Sequence, residues 1–211
     1  MPPGVIEFTP AANDGPDFGW ALFQLVVQNI DSHAGARAGD LAATLGFLAG
    51  RIVQRAAFRE HPEDFRHDAA DNGAAFLRCD RVSGQLERLT PGSLASTLVE
   101  SSLVAGARRL PEFSKVKLEA QEAMQRRGAC DLRRADLSAS PQELVTRMQG
   151  NLDDLLTDPS NRAALVRAVI LACGNAVGYN RSRLSPELGA ELAFSAALFG
   201  GWLDHREAPR R

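Results

Sequence analysis

Residues 60–71 hold the densest group of side chains able to bind a metal or move a proton: Glu60, His61, Glu63, Asp64, His67, Asp68 and Asp71. If a helix begins at Pro62, then Glu63, His67 and Asp71 recur every four residues and share one face. Two carboxylates and an imidazole on one face could hold a divalent metal or do acid–base work. HExxH is absent, and no second cluster offers further ligands. The competing reading is a solvated charged segment with Arg59 and Arg66 as counterions, the commoner fate of charged residues.

Other chemistries have weaker carriers. Neither GxxxxGK[ST] nor GxGxxG occurs, and Gly-x-Ser-x-Gly is absent. The glycines that stand out are paired four apart, Gly46 with Gly50 and Gly174 with Gly178, and Ala193, Ala197 and Gly201 extend the same spacing. Small residues at that spacing let a neighbouring backbone come close. This points to helix–helix seams, within the chain or between copies, with Gly174, Gly178, Ala193, Ala197 and Gly201 as interface candidates. Cys173 falls on an apolar face and reads as a buried, inert thiol. Cys79, beside Asp80 and Arg81, reads as the more exposed one. Three cysteines far apart in sequence give no disulfide framework and suit a reducing compartment.

Two polar stretches could bind a partner. Residues 105–135 carry Arg108-Arg109, Lys115, Lys117, Arg126-Arg127 and Arg133-Arg134 against Glu112, Glu119, Glu122 and Asp131. The stretch is net basic in a chain of net charge -2, but Phe113 is its single aromatic. The stacking platform of single-strand binders is missing, so nucleic acid is not expected as a partner. Asn175 and Tyr179, followed by Asn180, Arg181 and Arg183, could line a small polar pocket at a helix end. Basic residues there also simply suit the helix dipole. Lys115 and Lys117 aside, every basic residue is an arginine, the better side chain for bidentate recognition of carboxylate or phosphate.

The elements that would position these residues are mostly helices. The apolar share is 45% and is mainly Ala, Leu and Val, while aromatics make up 6%. Residues 1–16 are rich in Pro and Gly and form an extended arm. Helices are expected at Asp17–Ile30, Leu41–Glu60, Thr90–Arg109 and Glu112–Arg127, the second capped by Asp40 and edged by solvated Arg51, Arg55 and Arg59. Ser140-Pro141-Gln142-Glu143 is a capping box with Pro in the first turn, and Ser185-Pro186-Glu187 repeats the Ser-Pro start. Residues 141–203 therefore read as three consecutive helices whose short loops favour antiparallel neighbours. The strand-like part is 75–89, read as a hairpin with Ala75–Val82 and Gln85–Leu89 flanking Ser83-Gly84.

Together these observations give a mainly α, bundle-like domain over 17–205, with one small hairpin near 75–89 and a possible subdomain boundary at 128–140. The longest apolar stretches, Ala168–Val177 and Leu192–Leu203, fall short of the roughly 20 residues of a membrane span. The N-terminus lacks the basic and apolar regions of a signal peptide. A soluble cytoplasmic protein is expected. Catalytic signatures are missing and apolar helix faces abundant, so the expected function is non-enzymatic protein–protein contact, as a homodimer or with another protein, with no cofactor. The alternative is a metal-dependent enzyme or a small-ligand-binding protein using residues 61–71.

Overall fold

A computed structural model describes residues 16–31, 35–69, 75–127, 137–148 and 162–202. The chain folds as a mainly α protein with one two-stranded hairpin among the described residues. Its helices are α1 (Pro16–Asp31), α2 (Ala38–Glu60), α3 (Asp80–Glu87), α4 (Leu94–Val104), α5 (Phe113–Arg127), α6 (Pro141–Met148), α7 (Arg162–Tyr179) and α8 (Pro186–Gly201). Strands β1 (Arg66–Ala69) and β2 (Ala75–Arg78) pair antiparallel, with Arg66 opposite Arg78 and Ala69 opposite Ala75. Residues 1–15 of the expected arm and residues 128–136 of the possible boundary at 128–140 lie outside the described residues, and Pro16 already belongs to α1.

Helix α2 is the centre of the fold. It is buried on every side from Gly39 to Ala56, because α1, α3, α6, α7 and α8 all pack against it. Its closest neighbour is α8. A methyl group on Gly46 would fall 2.0 Å from the Ala193 carbonyl oxygen, and one on Gly50 would fall 2.0 Å from that of Ala197. A methyl group on Gly200, across the same seam, would fall 2.2 Å from the Phe47 carbonyl oxygen. The two helices thus touch backbone to backbone, and the order of the pairs, 46 with 193 and 50 with 197, means they run parallel. Such an approach is open only to residues without bulk, which is why small residues repeat on both helices.

Helix α7 runs the other way along α2. At one end Asn180 Nδ2 donates to the Ala38 carbonyl at 2.9 Å, and at the other Arg162 Nη1 lies 3.8 Å from Glu60 Oε1. Helices α7 and α8 are therefore antiparallel, as their short connection requires. Among the described residues α7 is long and apolar enough to cross a membrane by length and composition, which corrects the expectation that every apolar stretch is too short. Half of it is buried inside the fold, where α1, α2 and α4 cover it.

Local signals in the sequence set the helix ends. Ser140 and Glu143 form the expected reciprocal box: the Ser140 amide donates to Glu143 Oε2 at 3.1 Å and the Glu143 amide to Ser140 Oγ at 3.2 Å. Ser185 caps α8 by accepting from the Leu188 amide at 3.3 Å. Asp40 sits within the first turn of α2 rather than ahead of it. Its buried carboxylate accepts from the Arg37 amide at 2.7 Å, the Ser138 amide at 2.8 Å and the Ser138 hydroxyl at 2.5 Å, tying α2 to the segment before α6.

Three expectations change. The hairpin is shifted toward the N-terminus: β2 covers only the start of the expected first strand, and 80–87 is helix α3. Val82 and Leu86, four apart, are both buried, so the helical period rather than the alternating one won there. Helix α4 is shorter than Thr90–Arg109, because Ser93 caps it, accepting from the Ser96 amide at 3.2 Å, and Gly106 at φ +93° follows its last turn. Finally, Arg51 and Arg55 are buried, not a solvated edge, since a helix surrounded by five others has no face left for solvent. The Arg51 guanidinium lies 6.0 Å from the Phe47 ring centre.

Candidate functional site, an arginine-lined cleft

The acidic and histidine group does not assemble as the sequence suggests. Pro62–Asp64 makes a single 3-10 turn and the chain then extends into β1, so the four-residue spacing of Glu63 and His67 no longer places them on one face. Proline starts the turn, but the strand pairing of 66–69 ends helical winding. Asp71 lies outside the described residues. Among the described residues no three His, Cys, Asp or Glu side chains converge as metal ligands.

Glu60, Glu63 and Asp64 instead meet nearby basic side chains. Glu60 faces Arg162 across the end of α2, Glu63 lies 3.4 Å from His61 Nδ1, and Asp64 accepts from Arg81 Nε at 2.5 Å. The Asp64 contact holds the Arg81 pKa above its ordinary value. The partners expected from sequence, Arg59 and Arg66, are not the ones these three carboxylates meet.

His61, Arg81 and Arg162 border one cleft of about 610 Å³. It opens where the C-terminus of α2, helix α3, the loop before α4 and the N-terminus of α7 come together. Val53, Ala56, Ala57, Ala163, Val166 and Ile170 supply its apolar lining. Around them stand Arg81, Arg88, Arg162 and Arg167 with His61, and Glu60 is the one carboxylate among the described residues of the lining. The volume lies in the range of small-molecule sites, roughly 300–1,000 Å³. Arg88, Arg81 and Arg167 are exposed, while Arg162 is the most covered of the four.

Helix α3 explains how two of these arginines come to the cleft. Arg81, Gly84 and Gln85 lie three and one apart on one face of α3, Arg88 follows as its C-cap residue, and all four line the cleft. Reading 75–89 as a hairpin hid that face. Arg162 and Arg167 arrive from the far end of the sequence, and nothing local marks them as neighbours of Arg81.

The remaining candidates fall as follows. Ala193, Ala197 and Gly201 are fully consumed by the α2 seam and the packing of Leu86 and Val82, so they present no surface to a second copy. Gly174 packs on Thr97 and Ser101 of α4. Gly178 has open space beside it. Tyr179 does border a pocket, of about 350 Å³, with Arg37, Asn180, Ser182 and Arg183, whereas Asn175 points away and is exposed. Burial pushes the Cys173 thiol pKa far up, as expected of an inert core thiol. Cys79 is also buried, which corrects the exposed reading; it precedes α3 and packs into the core beside it. In the basic stretch, Arg109 and Lys115 flank Glu112 at 3.6 and 4.0 Å, and Lys117 pairs with Glu87, so much of that charge is locally balanced. No protein-family model, no curated protein and no solved structure matches this chain.

Proposed function

We propose that this protein is a soluble, cytoplasmic helical binding protein whose ligand is a small amphipathic anion, an apolar body with a carboxylate or phosphate head group. One observation carries the reading: among the described residues, Arg81, Arg88, Arg162 and Arg167 with His61 border a cleft with an apolar lining, Arg81 paired with Asp64 and Arg162 with Glu60. Arginine matches oxyanions bidentately and is the more weakly hydrated of the two basic side chains, so it tolerates such a half-covered site. The apolar lining supplies area to bury, and the arginines supply orientation.

Calorimetric titration with decyl phosphate and with decanoate, both below their micelle concentrations, tests this. Saturable one-to-one binding is expected, weakened by Arg88→Gln and by Arg167→Gln. Absence of saturable heat up to millimolar ligand, or binding indifferent to both substitutions, refutes it.

A second reading, self-association, is supported by a different surface. Leu103, Val104 and Leu110 are exposed at the end of α4 and in the segment after it, Val104 at 86%. A homodimer would use that surface rather than the small-residue seam, and light scattering on the Val104→Asp variant beside the native protein decides it. A native protein that is monomeric at high micromolar concentration removes this reading.

A further inference from the structure

The cleft has two unlike ends. Helices α2 and α7 run antiparallel along it, so His61, just past the C-terminus of α2, marks one end, and Val53 with Ile170 marks the other. Gly174 packs on Thr97, one turn beyond Ile170 on α7 and one turn beyond Ser93 at the start of α4, so the turn Thr90–Ser93 stands at the Ile170 end. Helix α3 spans the same length. It runs from Arg81 at the His61 end to its C-cap residue Arg88, seven residues on and about 10 Å away at the helical rise.

The charges at the two ends differ. At the first, Arg81 pairs with Asp64, and His61 Nδ1 lies 3.4 Å from Glu63. At the second, Arg88 is exposed on the cleft wall and pairs with no carboxylate among the described residues. Its neighbour in sequence, Glu87, turns instead to Lys117 of α5. Arg88 is also held by its own backbone. The buried Ser93 hydroxyl donates to the Arg88 carbonyl and accepts from the Ser96 amide at 3.2 Å, while the Ser93 amide donates to the Thr90 carbonyl at 3.0 Å. Residues 88–93 are thereby closed into a turn that carries Arg88 and Thr90, both of which line the cleft.

We infer that the oxyanion of the ligand seats at this second end, on the Arg88 guanidinium, and that its apolar body runs along Ala57 and Val166 toward the C-terminus of α2. This rests on the proposed reading of the cleft and adds the position of the head group and the direction in which the ligand lies. An oxyanion at Arg81 would have to displace Asp64 or share the guanidinium with it, one negative charge beside another. An oxyanion at Arg88 displaces only water and gains a charge-assisted contact to a guanidinium that the fold leaves unmatched. The dipole of the eleven-residue α4 adds to the same sign, but the guanidinium makes the contact.

Decyl phosphate titrations on the full chain test this, each variant first shown folded by its circular dichroism melt. Arg88→Gln is expected to weaken binding about tenfold or more, the loss of one charge-assisted contact. Arg88→Lys keeps the charge without the planar fork and is expected to lose about threefold. Arg81→Gln, at the other end, is expected to change the affinity by less than about twofold, and the double variant to bind as Arg88→Gln does. If Arg88→Gln stays within about twofold of the native protein while Arg167→Gln weakens binding, the position is overturned and the cleft stands. A loss in Arg81→Gln as large as that in Arg88→Gln overturns the position as well. If the native protein binds neither decyl phosphate nor decanoate saturably, the cleft reading falls and the head-group position falls with it.

Discussion

The contact between α2 and α8 makes the sharpest stability prediction. In Gly50→Ala the added methyl carbon would sit 2.0 Å from the Ala197 carbonyl oxygen and 2.6 Å from the Gly201 amide nitrogen. An ordinary carbon–oxygen contact is about 3.3 Å or more, so the helices must separate locally by about 1.3 Å. Backbone, not a flexible side chain, is what must move. Overpacking of this kind costs about 1–3 kcal/mol and occasionally more. The better helix propensity of alanine returns up to about 1 kcal/mol. A backbone clash lies at the costly end, so the net loss is about 2 kcal/mol, or about 4–8 °C in melting temperature for a chain of this size. Urea unfolding followed by circular dichroism reads it directly. Gly178→Ala is the control, because a methyl there meets nothing within 4 Å, and it is expected to be neutral or slightly stabilising. Gly46→Ala faces Ala193 in the same seam, so the double variant with Gly50→Ala is expected to lose less than the sum of the two singles. If Gly50→Ala is as stable as the native chain, the parallel backbone-to-backbone contact is wrong.

Other outcomes follow from single side chains. Glu187 is buried and accepts from the Arg108 amide at 2.7 Å and the Arg109 amide at 3.3 Å. Its pKa is lowered, first by a bond from its own amide and then by that of Arg108. A lowered folded value means the stabilisation is present above the ordinary glutamate value of about 4.3 and is lost as pH falls through the lower folded value. Glu187→Gln should therefore flatten the acid limb of the stability curve in a urea series from pH 6 to 3; an unchanged limb rules this out. Gln54 is fully buried, and neither polar atom of its side chain has a hydrogen-bond partner among the described residues. Gln54→Met, close in volume, is expected to raise stability by about 1 kcal/mol, and a lower urea midpoint would show that the amide has a partner after all. Asp40→Ala leaves the Arg37 and Ser138 donors without their acceptor and should cost about 2–4 kcal/mol, measured the same way; a loss below about 1 kcal/mol would mean the tie between α2 and Ser138 is not structural. In a Cys130→Ser background, Cys79 and Cys173 should resist iodoacetamide at pH 8 until denaturant is added, as mass spectrometry will show; prompt labelling of either contradicts its burial.

The sequence alone determined the helical class and several helix starts, because those rest on local physics. The Ser140 box and the Ser185 cap each need only a few consecutive residues, and the stripe of Val116, Ala120 and Met124 on α5 is buried as its spacing implies. It also picked out Gly46, Gly50, Ala193 and Ala197, which do meet in a seam, together with Gly178, which meets nothing within 4 Å. Which surfaces those seams join was decided by the tertiary structure: Gly46 and Gly50 meet Ala193 and Ala197, nearly 150 positions later, and no local pattern encodes that pairing. The same holds for α2, whose Arg51 and Arg55 look solvent-facing until five helices are packed around them. The candidate site was legible only in its least informative half. Glu60, His61, Glu63 and Asp64 drew attention as a charged run, yet their partners Arg81 and Arg162 come from α3 and α7. Alternation in 80–87 competed with a helical period too short to be decisive, so the placement of Arg81 and Arg88 stayed hidden until burial of Val82 and Leu86 chose the helix. Charge in sequence records only composition. Folding decides which charges meet, and here it brings Glu60 and Asp64 to two arginines of the cleft.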